Sequence, residues 1–224
     1  MAPPSSSPST AGSSRTRVRR VPENARYDAG TIAAILDAAM VCHVAFVDGD
    51  QPLSIPTLHA RVGDDVLIHG SSGSRAMRLL ATGVPAGLTV TLLDGVVLAR
   101  SVFEHSVAYR SAMLFGRFDA VTEPAAKTAA LRAFTEKLLP GRWDEARQPS
   151  PKEDAATLVL RMTVDEASAK VGDGPPEDDE ADLALDVWAG TVPLTTRWGA
   201  PVPDPRLRPG IEVSPSVGRL VEES

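Results

Sequence analysis

The sequence predicts a mainly β protein, an antiparallel barrel of about six strands with two or three flanking helices. Three observations carry this. Short apolar runs alternate with polar residues at period two, the pattern of strands with one buried face. The first of these runs are joined by Asp48-Gly49-Asp50 and Gly63-Asp64-Asp65, turns too short for anything but antiparallel neighbours. Helical spacing of apolar residues is confined to a few places, chiefly residues 32–40 and 124–139.

Composition narrows the class. A chain of 224 residues has room for one sizeable domain with appendages. Hydrophobic residues make up 43% but aromatics only 4%, so Val, Leu, Ala and Ile must fill the core. The formal net charge of −6 argues against nucleic acid as a general partner. Cys42 is the single cysteine, which excludes an internal disulfide framework and a cysteine-rich metal site. No apolar run reaches the roughly 18 residues of a membrane span, and the N-terminus has no apolar signal core. A soluble, cytoplasmic protein with no membrane partner is expected.

In chain order, residues 1–22 are rich in Pro, Ser, Thr and Ala, then carry Arg15, Arg17, Arg19 and Arg20 without an acid; a disordered basic tail is expected. Setting those four charges aside takes the formal charge from −6 to −10, so the body is acidic. Residues 23–170 are the expected barrel domain. Asp28 can cap a helix with apolar Ile32, Ile35, Leu36, Ala39 and Met40. Strands follow at Val41 to Val47, Pro52 to Ala60 and Val66 to His69. Gly87 to Leu93 is the next, Asp94-Gly95 signals a hairpin turn, and Val96 to Phe103 is the returning strand. Ala112 to Val121 is a further strand. Pro124 to Leu139 is an amphipathic helix stopped by Pro140-Gly141, and Thr157 to Val164 the last barrel strand. Residues 171–224 open with an acidic Pro/Gly linker, 171–182. They continue as a proline-rich extension expected to wrap the barrel or a neighbouring subunit.

The chemistry concentrates at one corner. Val66-Leu67-Ile68-His69 runs into Gly70-Ser71-Ser72-Gly73-Ser74-Arg75 and then Met77, Leu79 and Leu80: a strand, a Gly/Ser turn and a helix start. A helix N-terminus concentrates unpaired N–H groups and the positive end of the dipole, and glycine lets a ligand approach the backbone. Arg75, with no carboxylate at i±4, adds a planar charged fork. Such a corner suits a phosphate; a flexible surface turn is the other reading of the same residues.

Three patches, 54–59, 69–75 and 106–116, resemble the FMN-binding split barrel of the pyridoxamine 5′-phosphate oxidase-like superfamily, in the branch of the nitroimidazole-resistance proteins. The likeness spans roughly residues 23–168. It implies a six-stranded antiparallel split β-barrel acting as a homodimer, with flavins at the subunit interface. It puts the FMN phosphate on the corner of Gly70, Ser72, Ser74 and Arg75, and the ring beside Ile55, Pro56 and Thr57. His69 falls near the flavin as the candidate catalytic residue, and Tyr109, Arg110 and Ser111 fall close to cofactor and interface. True pyridoxamine phosphate oxidases carry lysine where this chain has Ala76, and a C-terminal Arg-x-His element that is missing here, so a different substrate is expected.

The other histidines, His43, His59 and His105, have no metal-like spacing, so no metal site is expected, and His59 reads as a surface residue. Cys42 reads as a buried, inert thiol. No nucleophile elbow is present. Trp188 and Trp198 read as packing anchors of the extension. The expected function is an FMN-dependent oxidoreductase acting on a small molecule, with F420 or haem as alternative cofactors. A flavin- or haem-binding protein without turnover is the competing class, favoured by the lack of a Gly-x-Gly-x-x-Gly after a strand.

Overall fold

The computed structural model describes residues 13–222. In chain order the elements are β1 (Ala25–Arg26), α1 (Ala29–Ala38), β2 (Val41–Asp48), β3 (Gln51–Val62), β4 (Asp65–Ser71), α2 (Arg75–Leu80), β5 (Ala86–Leu98) and β6 (Ser106–Gly116). They continue with β7 (Asp119–Ala120), α3 (Pro124–Leu138), α4 (Arg142–Glu145), α5 (Pro151–Ala156), β8 (Thr157–Thr163), β9 (Glu166–Gly172), β10 (Gly190–Pro193) and α6 (Pro215–Glu222). The strands form one antiparallel sheet in the order β1-β9-β6-β5-β2-β3-β4-β8-β7, with β10 added to β5. The sheet curls as a split barrel.

Side-chain alternation decides what each face does. On β2, Cys42, Val44 and Phe46 point inward and are at most 4% exposed. There they meet Leu88, Val90, Leu114 and Ile68, and Ile32, Ile35 and Leu36 of α1, which fills the inside of the curl. Asp28 starts α1 as expected, accepting from the Thr31 N–H at 2.7 Å. A second, smaller core lies on the outer side of β3, β4 and β8, where Ala130 and Phe134 of α3 cover Ala60, Leu67 and Val159. The curl therefore has a filled inside and an outside covered by α3 over only part of its width.

Several sequence expectations change. Asp94-Gly95 is no hairpin turn: β5 runs straight through, with a register shift between Leu93 and Gly95. Glycine is required there because β10 lies so close that a Cβ on Gly95 would stand 2.7 Å from the Val192 carbonyl oxygen. The returning strand is β6, beginning at Ser106 rather than Val96, and the strand expected at 112–121 is its second half followed by the short β7. Among the described residues ten strands replace the six expected, since β1 and β7 have two residues each and β9 and β10 have weak apolar patterns. The disorder expected for residues 1–22 lies, for residues 1–12, outside the described residues. Residues 13–20 run against the barrel: Thr16 is buried, Arg15 pairs with Glu166, and the Val18 N–H donates to the Tyr27 hydroxyl at 2.9 Å. The acidic linker is likewise tied down, since Asp178 accepts from the N–H of Arg100 at 2.6 Å and pairs with its guanidinium at 2.9 Å. No helix among the described residues is long and apolar enough to cross a membrane.

Candidate functional site

The corner after β4 forms as its sequence suggests. Gly70 is small because a Cβ there would stand 2.9 Å from Met77 of α2. Ser74 caps α2, accepting from the Met77 N–H at 3.4 Å. The turn uses much of its own bonding capacity: Ser72 N–H donates to the Ala156 carbonyl at 2.8 Å, Ser74 N–H to the Ser71 carbonyl at 2.9 Å, and Gly73 N–H to Ser71 Oγ at 3.1 Å. The N–H groups of Arg75 and Ala76, in the first turn, have no intrahelical acceptor. Arg75 is 80% exposed and its Nε lies 2.7 Å from Asp48 Oδ2, a carboxylate remote in sequence that the i±4 test could not find. Asp48 closes the β2–β3 hairpin opposite Gln51, so the corner touches that hairpin's tip. Alongside the hairpin opens a cleft of about 760 Å³, walled by Phe46, Leu53 and Phe115 and rimmed by Arg15, Arg117 and Glu166.

β3 supplies an open edge beside the corner. It pairs with β2 along residues 51–58 but with β4 only along 59–62. Pro52 and Pro56 fit such a strand, because proline is tolerated where its missing N–H would face an open edge. Ile55 packs inward on the main core while Pro56 is exposed, so the stretch expected to meet the flavin presents Pro56 outward and its backbone sideways. Tyr109, Arg110 and Ser111 lie on β6, separated from β3 by β5 and β2, about 14 Å across the sheet. Within one subunit they do not meet the corner. Arg110 is held by Asp94 through two bonds of 2.7 and 2.8 Å.

The four histidines separate by environment. His59, expected at the surface, is fully buried on the inner side. Its Nε2 lies 2.8 Å from the Leu36 carbonyl and 3.2 Å from Lys137 Nζ. Burial first, and then the neighbouring ammonium, push its pKa down to about 4, and burial pushes Lys137 down to about 8. His105 accepts the Ala99 N–H at Nδ1, 3.3 Å away, which leaves the proton on Nε2 and no lone pair to offer. His69 lies under α3, its ring 4.3 Å from that of Phe134, with a buried Nδ1 that has no partner; burial lowers its pKa, so it is neutral at pH 7. His43 stands exposed in the middle of the bare outer face, opposite Pro56 on one side and Thr89 on the other. Sequence reasoning gave His43 no role. The available signal was the alternation Val41, His43, Ala45, Val47, which puts one histidine in an otherwise apolar outward row. Cys42 is buried as expected, its thiol pushed up to about 12. No cluster of three or more metal-ligating side chains exists among the described residues.

The sequence model of the family described as Pyridoxamine 5'-phosphate oxidase matches residues 28–171, from the cap of α1 to the last residue but one of β9. The chain belongs to the pyridoxamine 5′-phosphate oxidase family. Two solved structures resemble it over nearly its whole length. The flavocytochrome Anf3 from Azotobacter vinelandii is 40% identical, with 95% of this chain and 99% of that chain covered and a TM-score of 0.89. An FAD- and haem-binding protein from Mycobacterium smegmatis is 42% identical, with 88% and 97% covered and a TM-score of 0.85. A candidate 5-nitroimidazole antibiotic resistance protein from Bacteroides thetaiotaomicron shares the fold at 20% identity, with 66% and 86% covered and a TM-score of 0.56. Among curated protein sequences none matches. The family match ends before β10, whereas the two nearly full-length likenesses extend past it.

Proposed function

We propose that this protein is a flavin- and haem-binding oxidoreductase that works as a homodimer. The observation that carries the reading is identity of 40 and 42% across nearly full-length chains with a flavocytochrome and with an FAD- and haem-binding protein. FAD therefore replaces FMN as the flavin favoured here. A flavin exchanges hydride or single electrons, and a haem iron exchanges single electrons. The chain's own residues bind, orient and shield these groups.

For the flavin, Arg75 and the free N–H groups of the first turn of α2 bind phosphate, with Ser72 and Ser74 at its rim. Pro56 and the open edge of β3, from Ile55 to Thr57, support the ring. The bare outer face is covered by the partner, which brings its Tyr109–Ser111 region within reach. For the haem, two histidines fit an iron ligand by the chemistry of their nitrogens: His43, whose ring makes no hydrogen bond among the described residues, and His69, whose Nδ1 is buried out of a ligand's reach but whose Nε2 is unpaired among the described residues. His69 thus acts at the haem rather than as an acid or base toward substrate.

An absorption spectrum of the purified protein, with mass spectrometry of what denaturation releases, tests this directly. Flavin bands, a Soret band and the mass of FAD are expected. A colourless protein that takes up neither group overturns the reading, and an FMN or F420 mass revises it. His69→Ala should diminish or shift the Soret band while the flavin bands remain. Binding without turnover is the second reading, favoured by the lack of a nucleotide-binding Gly-x-Gly-x-x-Gly. A bound flavin that no donor reduces would support it.

A further inference from the structure

Residues 191–213 are exposed without exception. The segment is nevertheless tied at both ends. At its start β10 pairs with β5, and the Leu194 N–H donates to the Asp94 carbonyl at 2.8 Å. At its end Arg142 donates to Ser214 Oγ at 3.1 Å and the Ser216 N–H to Glu145 at 3.0 Å. Between the ties the hydrogen bonds are local: Leu207 to Asp204 and Ile211 to Arg208 in the backbone, Arg206 to Asp204 in side chains. This strap carries Trp198 at 52% exposure, Val202 at 91% and Val213 at 59%. Prolines at 193, 201, 203, 205 and 209 hold it extended and keep it from collapsing on itself.

Two observations indicate what the strap lies on. Val192 of β10 is opposite Val96 of β5, and Val96 is opposite Val107 of β6. These three valines form one row across three strands, each at least 40% exposed, so the strap leaves from the same bare sheet face that holds His43. The second observation is area. The chain exposes 14667 Å², against about 9,800 Å² for a compact monomer of 23.6 kDa. The fourteen residues outside the described ones can contribute at most about 1,900 Å² at the unfolded-chain rate. The remainder is roughly 3,000 Å², the scale that obligate homodimers bury.

We infer that the strap crosses a second copy of this chain, seating Trp198, Val202 and Val213 on the partner and carrying the subunit interface beyond the sheet. This rests on the homodimer reading above. Each copy offers both a strap and a valine row, so a two-fold pair covers all four surfaces at once. The triple variant Trp198→Ser, Val202→Asp, Val213→Ser alters only side chains that are more than half exposed in the single chain.

Sedimentation equilibrium over a concentration series compares the full-length protein with this variant. A wild-type dimer and at least tenfold weaker association of the variant are expected, with unchanged circular dichroism. A dissociation constant within twofold of wild type overturns the strap's role and leaves the homodimer reading standing. A wild type that is monomeric throughout overturns both. As a measurement independent of the triple variant's folding, Val202→Cys is labelled with benzophenone maleimide, which the buried Cys42 does not compete for, and irradiated. A covalent dimer on a denaturing gel is expected, and a purely monomeric product overturns the inference.

Discussion

The outer side of the sheet has two halves that differ in what covers them. Over β3, β4 and β8, helix α3 lays Ala130 and Phe134 on Ala60, Leu67 and Val159, and all five are buried. Over β2, β5 and β6, Val41, Val47, Leu93, Val107 and Met113 are 42 to 53% exposed, and no element among the described residues covers them. Both halves are apolar, yet among the described residues only one has its partner. The corner at Ser71–Arg75 touches the β2–β3 hairpin where the covered half meets the bare one, with His69 under α3 on one side and His43 on the bare face on the other. Under the proposed function, a cofactor there would be shielded on one side by α3 and on the other by a second subunit.

The largest effect expected is the loss of that internal cover. Phe134→Ala removes a ring that is 3% exposed and packed at a tilt against His69, and should destabilise the chain by about 3–5 kcal/mol, read from the urea midpoint. Met113→Ala, on the bare half, should change the stability of the isolated subunit by less than about 0.5 kcal/mol while weakening the dimer. Equal effects in monomer stability would show that the two halves are not different in kind.

Acidification probes the inner side of the covered half. His59, fully buried beside Lys137 and near Asp37, which is paired with Arg61, has a folded pKa of about 4 against 6.5 unfolded. Between these values the unfolded chain binds more protons, so its contribution is fully present above pH 6.5. It is lost as pH falls toward 4, and amounts to about 3 kcal/mol. Thermal melts of wild type and His59→Gln across that window should converge toward the acid end. Parallel curves would show that His59 does not titrate in this range. Lys137→Met, which removes the adjacent cation, should make the wild-type slope shallower.

At the meeting line itself, Arg75→Ala should weaken flavin binding by about 1.5–3 kcal/mol, the scale of a charge-assisted hydrogen bond, measured by fluorescence titration. Asp48→Asn should leave binding unchanged or tighten it, because the carboxylate now pairs with Arg75 Nε and competes with phosphate for it. An unchanged dissociation constant in Arg75→Ala places the phosphate elsewhere.

Much of this was legible in the chain. The β2 alternation, the Asp28 cap, the α3 stripe and the strand–corner–helix order are local patterns, and local patterns survive folding. What escaped depended on distant residues. Asp94-Gly95 looks like a hairpin turn until β10, nearly a hundred residues later, is seen to need a missing side chain at Gly95. His59 looks like a surface residue until α1 and Lys137 close over it. Asp48 is invisible as the partner of Arg75 because the pairing crosses a hairpin. The role open to His43 was readable, since the outward row of β2 is apolar except for it, but metal-site spacing rules look along one element and pass over a lone histidine on a sheet.

The smallest effect separates a structural arginine from a binding one. Arg110 belongs to the segment resembling a cofactor-proximal patch, and the structure has it in a two-bond pair with Asp94 at 2.7 and 2.8 Å, with both side chains more than a third exposed. The pair holds Asp94 below its usual carboxylate range through the guanidinium's hydrogen bonds. Exposed pairs of this kind contribute about 0.2–1 kcal/mol, and salt screens them. Arg110→Ala should therefore lower the urea midpoint by no more than that, and the difference should shrink in high salt. Flavin affinity decides the rest. If it falls with Arg110→Ala but not with Asp94→Asn, the guanidinium leaves its carboxylate for the ligand, and the bare half of the sheet contributes to the partner's site through Arg110. If neither variant changes affinity, Arg110 and Asp94 serve only to brace β5 against β6, next to the register shift that admits β10.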